Sequence, residues 1–163
     1  ADVLAGTGAR ADAAERAGNA AFMQREVTGA DHFFNGMDTE LVEVVAVEVL
    51  ELMIPPASLT RVNLYFPDPW PKKRHHKRRI VQPRFLDLVA DRLSAGGSLN
   101  VATDWENYAE HIEAEVRQSG RFECAERRIH SGDRPLDRPG TKFERRGLRQ
   151  GHRIWDWRFV RSN

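Results

Sequence analysis

The sequence predicts an α/β domain: a mostly parallel, twisted sheet with helices on both faces and a terminal antiparallel strand. Three observations carry this expectation. Strand-like runs alternate with helical ones, the order that joins parallel strands through helical crossovers. A short apolar ADVL is followed by Gly6-Thr7-Gly8, the pattern of a strand entering a nucleotide-type βα turn, where glycine lets backbone approach a ligand. The last two strand-like runs have only a loop between them, which suits an antiparallel return.

The elements follow in order. Ala20 to Val27 (AAFMQREV) reads as a second strand ending at Glu26, where an acid can accept hydrogen bonds from ribose hydroxyls, or equally as part of an exposed helix. His32 to Met37 reads as a loop and helix end. Leu41 to Val45 suits a short strand, whereas Val47, Leu50 and Ile54 fall at helical spacing until Pro55 and Pro56 stop them. Arg61 to Phe66 is a β-rich run cut off by proline. Pro83 opens a helix with Phe85, Leu86, Leu88, Val89 and Leu93 on one face, ended by Gly96-Gly97. Ser98 to Thr103 is a strand ending at Asp104 and Trp105. A helix from Glu106 to Ser119 places Tyr108, Ile112 and Val116 on one face. Phe122 to Ile129 is a strand and Ser131 to Gly140 a loop. His152 to Arg161 is the last strand, alternating Ile154, Asp156 and Arg158 against Trp155, Trp157 and Phe159.

With 163 residues the chain fits one domain, residues 1–163. Its net charge of +1 hides an asymmetry. Without the six Lys/Arg of Lys72 to Arg79, 19 cations face 24 anions, a remainder of −5. Positive charge is therefore local, as in a patch that meets a polyanion. The single cysteine, Cys124, excludes an internal disulfide and a Cys-based zinc cluster, and reads as a small hydrophobe in a strand. No apolar run is long enough to span a membrane and no signal-peptide pattern opens the chain, so a cytoplasmic protein without membrane partners, monomeric or homodimeric, is expected.

Candidate chemistry concentrates in Arg61–Arg79, RVNLYF-PDPWP-KKRHHKRR. Pro67, Pro69 and Pro71 hold Asp68 and Trp70 on a stiff, extended loop at a strand's carboxyl end, where ligands bind in open α/β sheets. Lys72, Arg74, Lys77, Arg78 and Arg79 can supply salt-sensitive phosphate contacts. Trp70 or Trp105 could stack on a base or equally lie in the core. His75 and His76 are adjacent, so their side chains diverge and no metal site is expected there. A basic run of this kind also suits a solvated loop or a localisation signal.

PDPWPKKRHHKRR, then ATDWENYA, then TKFERRG, in that order, resemble the bacterial tRNA (guanine-N7)-methyltransferase family. The resemblance runs from about Val44 to Val160; residues 1–43 keep only part of the family's opening strand and glycine turn. It implies a Rossmann-like fold and transfer of a methyl from S-adenosylmethionine to N7 of the variable-loop guanosine (position 46 of tRNA). It implies a catalytic role for Asp68, which also lies at the donor site with Gly6, Gly8 and Glu26. By the same resemblance Lys72 and Asp104 contact the substrate, Arg74, His75, His76, Lys77, Arg78 and Arg79 face tRNA, and Thr141, Lys142, Phe143 and Glu144 close over the substrate pocket. Glu144 to Gly147 (ERRG) reads as a solvated turn or further RNA contact. A catalytically silent tRNA-binding protein on the same scaffold is the alternative.

Overall fold

The protein is described by a computed structural model over residues 39–132 and 138–162. In chain order the elements are α1 (Thr39–Leu52), β1 (Leu59–Tyr65), a 3-10 helix (Lys73–Arg78), α2 (Pro83–Arg92), β2 (Leu93–Thr103), α3 (Glu106–Ser119), β3 (Phe122–His130), α4 (Lys142–Arg149) and β4 (Ile154–Arg161). The sheet order is β1-β2-β4-β3. β1 and β2 are parallel, and β4 runs against both β2 and β3. Three strands thus share one direction and the last strand opposes them, as the sequence predicts.

Register decides which residues form the core. Val62, Leu99 and Phe159 lie across from one another, as do Leu64, Val101 and Trp157, so all six share one face. Against that face pack Phe85, Leu86 and Val89 of α2 and Tyr108, Ile112 and Val116 of α3. The opposite face is polar: Asn63 aligns with Asn100 and Arg158, and Tyr65 with Ala102 and Asp156. Ile154, Trp155, Asp156 and Trp157 are all buried, so the first half of β4 is covered on both sides.

Capping explains several ends. Pro83 starts α2, where its missing N–H costs nothing. Gly120, at φ 61°, closes α3 in the left-handed conformation that glycine adopts without strain. The last carbonyls of α1 are met from outside, since the Arg92 guanidinium donates to Leu50 O (2.7 Å) and Glu51 O (3.1 Å).

Four expectations change. Residues 41–45 are helical, not a strand: the valine-rich run supports either state locally, and continuity with Val47, Val49 and Leu50, which pack on the core, selects helix. α2 ends at Arg92 because Leu93 is already extended, so Gly96-Gly97 does not cap it. Those glycines lie where the β1–β2 register shifts, between Leu59↔Leu93 and Arg61↔Ser98. Glu144 to Gly147 is not a solvated turn but part of α4, with Thr141 Oγ accepting from Glu144 N at 3.1 Å. Cys124 lies in β3 as expected, yet exposed rather than packed. Among the described residues no helix is long and apolar enough to cross a membrane.

Candidate active site and nucleic-acid interface

The loop after β1 is held in an uncommon backbone conformation. Phe66 and Trp70 both adopt positive φ, 54° and 42°, which non-glycine residues enter only at a cost. They flank Asp68 symmetrically, two residues to either side. Phe66 N bonds to Ala102 O at 2.8 Å, tying the loop's entry to β2, and Asp68 Oδ1 accepts from Trp70 N at 2.9 Å. The Asp68 side chain is half-buried at the sheet's carboxyl edge. Trp70 carries the Arg78 guanidinium 5.0 Å from its ring centroid and His75 edge-on at 5.8 Å. Its indole N–H is buried with no hydrogen-bond partner. Trp70 is therefore the post around which the basic segment folds rather than an open stacking platform.

That segment forms the 3-10 helix, with no buried residue. Lys72, Lys73, Arg74, Lys77 and Arg78 are exposed, and His75 and His76 are half-buried. Arg79 departs from its expected place facing RNA. It is 2% exposed, donates to Pro69 O (2.9 Å) and Asn107 Oδ1 (2.8 Å), and lies over the Tyr108 ring. Burial pulls its pKa down, with Tyr108 opposing. Arg79 thus pins the proline loop and the basic segment to α3, a structural use of charge. His75 accepts from Arg74 Nε at 3.2 Å. Its pKa is lowered by shielding from water and then by Arg74, Arg78, Lys72 and Lys77.

Asp104 follows directly on β2, and because β1 and β2 are parallel it shares the carboxyl edge with the Asp68 loop. α4 comes down on the same edge. A Cβ on Gly147 would meet Asp104 Oδ2 at 2.5 Å, so only glycine lets this helix approach so closely. Asp104 Oδ2 receives a hydrogen bond from His152 Nδ1 at 3.1 Å, and His152 packs edge-on against Trp105, itself partly buried on the core.

Behind the edge lies a charged cluster with no precedent in the sequence reading. Arg138 is 6% exposed and donates to Asp156 (Nε–Oδ1 2.5 Å, Nη2–Oδ2 3.1 Å) and to Glu144 (Nη1–Oε2 2.9 Å, Nη2–Oε1 3.2 Å). It lies over the Tyr65 and Phe66 rings at 5.3 and 5.6 Å, and His130 Nε2 reaches Asp156 Oδ2 at 3.0 Å. Burial alone would lower the Arg138 pKa; the hydrogen bonds and charges of Asp156 and Glu144 outweigh it and raise it. Glu144, expected over the substrate pocket, is 2% exposed with both oxygens taken by Arg138, so it anchors α4. Thr141 caps the helix, while Lys142 and Phe143 stand exposed on its first turn.

Asp68 and Asp104 thus follow the carboxyl ends of two adjoining parallel strands, and Gly147 of α4 stands against Asp104. Gly6, Gly8 and Glu26 lie outside the described residues. Among the described residues no cluster of His, Cys, Asp or Glu could hold a metal ion. Sequence reasoning missed Arg138, Asp156 and His152, whose ion-pair partners are 6 to 48 residues away. One signal was legible: Thr141-x-x-Glu144 matches the Ser/Thr-x-x-Glu pattern of a helix start.

A family described as "Putative methyltransferase" matches residues 32–157. The chain belongs to this family. Curated relatives named tRNA (guanine-N(7)-)-methyltransferase bear out the resemblance. That of Alcanivorax borkumensis is 55% identical over 70% of this chain and 48% of its own length. The Halorhodospira halophila protein is 52% identical over 74% of this chain and 53% of its own. The Idiomarina loihiensis protein is 46% identical over 86% of this chain and 55% of its own. The chain spans about half the length of the curated relatives it matches. With the α/β sheet described above, membership makes this a methyltransferase-type fold.

Proposed function

We propose that this chain acts in methylation of guanine N7 in tRNA, at the variable-loop guanosine, with S-adenosylmethionine as donor. The observation that carries the proposal is that two acids, Asp68 and Asp104, follow the carboxyl ends of adjoining parallel strands, with five exposed cations next along the chain from Asp68. The relatives' names and the order of the three motifs support the same reading.

Guanine N7 is a lone pair on the base edge, so alkylating it needs no proton removal. The site must instead orient the base in line with the methyl and offset the positive charge that passes to the purine. Asp68 suits both tasks, accepting from the base's N1–H and amino group and adding negative potential. Its carriage between two strained residues supports a fixed geometry. Asp104, held from behind by His152, makes a second contact with the base. Lys72 through Arg78 hold phosphates, and Lys142 and Phe143 reach the substrate from α4.

The carboxylates of Asp68 and Asp104 suit a cationic sulfonium, whose charge they would offset. S-adenosylmethionine would supply an electrophilic methyl there, held by Asp68 together with Gly6, Gly8 and Glu26. Calorimetric titration of the chain with S-adenosylmethionine, alongside methyl transfer to unmodified tRNA, tests this. Binding with transfer is the expected result. Retained tRNA affinity without donor binding would overturn it in favour of a catalytically silent tRNA-binding scaffold.

A further inference from the structure

The Asp104 carboxylate is unequally served. Oδ2 is engaged by His152 Nδ1 at 3.1 Å, and the Gly147 backbone stands so close that a Cβ there would come within 2.5 Å of the same oxygen. Oδ1 has no hydrogen-bond partner among the described residues, and the side chain keeps 26% exposure. His152 is itself fixed on three sides: its N–H bonds to Gly147 O at 3.0 Å, its ring packs edge-on against Trp105 at 6.2 Å, and Nδ1 meets the carboxylate. Gly151, at φ 79°, turns the chain from α4 into this position. Histidine and glycine thus reach Asp104 from the two ends of one tight turn.

We propose that His152 is a positioning residue that aims Asp104 Oδ1 into the strand-edge crevice, with Gly147 giving the clearance that lets it do so. The inference rests on Asp104 being a substrate contact. It adds that α4 and the turn after it are coupled to that contact through one donor atom, Nδ1, and not through general packing. A carboxylate with one oxygen held by a fixed donor loses its rotational freedom, so the other oxygen points one way before the base arrives.

The donor's position gives a discriminating test. The asparagine amide nitrogen sits on Cγ, as histidine Nδ1 does, whereas the glutamine nitrogen is one bond further out. His152→Asn therefore keeps the contact and His152→Gln misplaces it. With unmodified tRNA and S-adenosylmethionine, His152→Gln is expected to lower kcat about tenfold to hundredfold, the scale of an ångström's misplacement. Its tRNA Kd should stay within about twofold, because the basic segment is untouched. His152→Asn should recover most of kcat. Gly147→Ala, which pushes on the carboxylate directly, should lower kcat like His152→Gln. Equal kcat in the Asn and Gln variants would overturn the proposal, since simple packing would not tell them apart.

A second measurement does not depend on turnover or on any variant folding. In 15N NMR of the unaltered protein, His152 should carry its proton on Nδ1 in the neutral form; an Nε2–H tautomer would overturn the proposal. Absence of methyl transfer by the unaltered chain, with the Nδ1–H tautomer present, would instead overturn the functional reading on which the inference rests.

Discussion

Five cations of Lys72–Arg78 stand in water, whereas Arg138 lies 6% exposed between Glu144 and Asp156. The first group has few internal partners and faces outward. The second has its donors filled by two carboxylates and gains aromatic faces from Tyr65 and Phe66. Arg79 marks the border: one residue beyond exposed Arg78, it turns inward to Pro69, Asn107 and Tyr108. Charge density along the chain thus does not tell where charge serves binding and where it fixes shape. Partner geometry does, and it separates the two within a single peptide bond.

Breaking the buried side of this comparison gives the largest effect. Arg138→Met leaves Glu144 and Asp156 buried without their shared partner, and should cost about 3–5 kcal/mol in urea unfolding. A loss under about 1 kcal/mol would show that α4 is held by other contacts. The border is the next place to test. Arg79→Met should cost about 2 kcal/mol, because its hydrogen bonds are lost inside the protein. Arg78→Ala should leave stability within about 0.5 kcal/mol, yet weaken tRNA binding and lower the log–log salt slope by about 1. Equal stability losses in the two variants would erase the border.

The smallest effect concerns pH. His75 has a lowered pKa in the free protein, through shielding and then its cationic neighbours. Phosphates that offset Arg74, Arg78, Lys72 and Lys77 would raise it. Binding then takes up a proton, so affinity is fully gained below the free-state pKa and lost as pH rises through the bound-state pKa. tRNA binding should tighten as pH falls between about 7.5 and 6, by at most about tenfold per pH unit for one proton. In His75→Asn the slope should flatten. A wild-type affinity that is flat with pH would place His75 away from the phosphates.

Much of this was legible from residues alone. The PDPWP loop at a strand end, α3 with Tyr108, Ile112 and Val116 inward, and the alternation along β4 follow from proline stiffness and from periods of 3.6 and 2. Arg79 was not, because a run of like charges has no period that distinguishes its inward member. Residues 41–45 were not, because valine suits both states and the core decided. Arg138, Asp156 and His152 were hidden for a different reason. Each is an ordinary residue in its own neighbourhood and gains meaning only from a partner that folding brings near. The Thr141-x-x-Glu144 helix start, by contrast, carries its own local signal.

On the proposed function, the strand-edge carboxylates do the chemistry while the outer cations hold the RNA. Asp68→Ala, assayed for methyl transfer to tRNA and for tRNA affinity on the same preparation, tests it most directly. The prediction is loss of transfer with tRNA Kd and salt slope close to the unaltered protein's, since phosphate contacts dominate affinity. Full transfer in Asp68→Ala, or loss of transfer only in step with loss of tRNA binding, would contradict it.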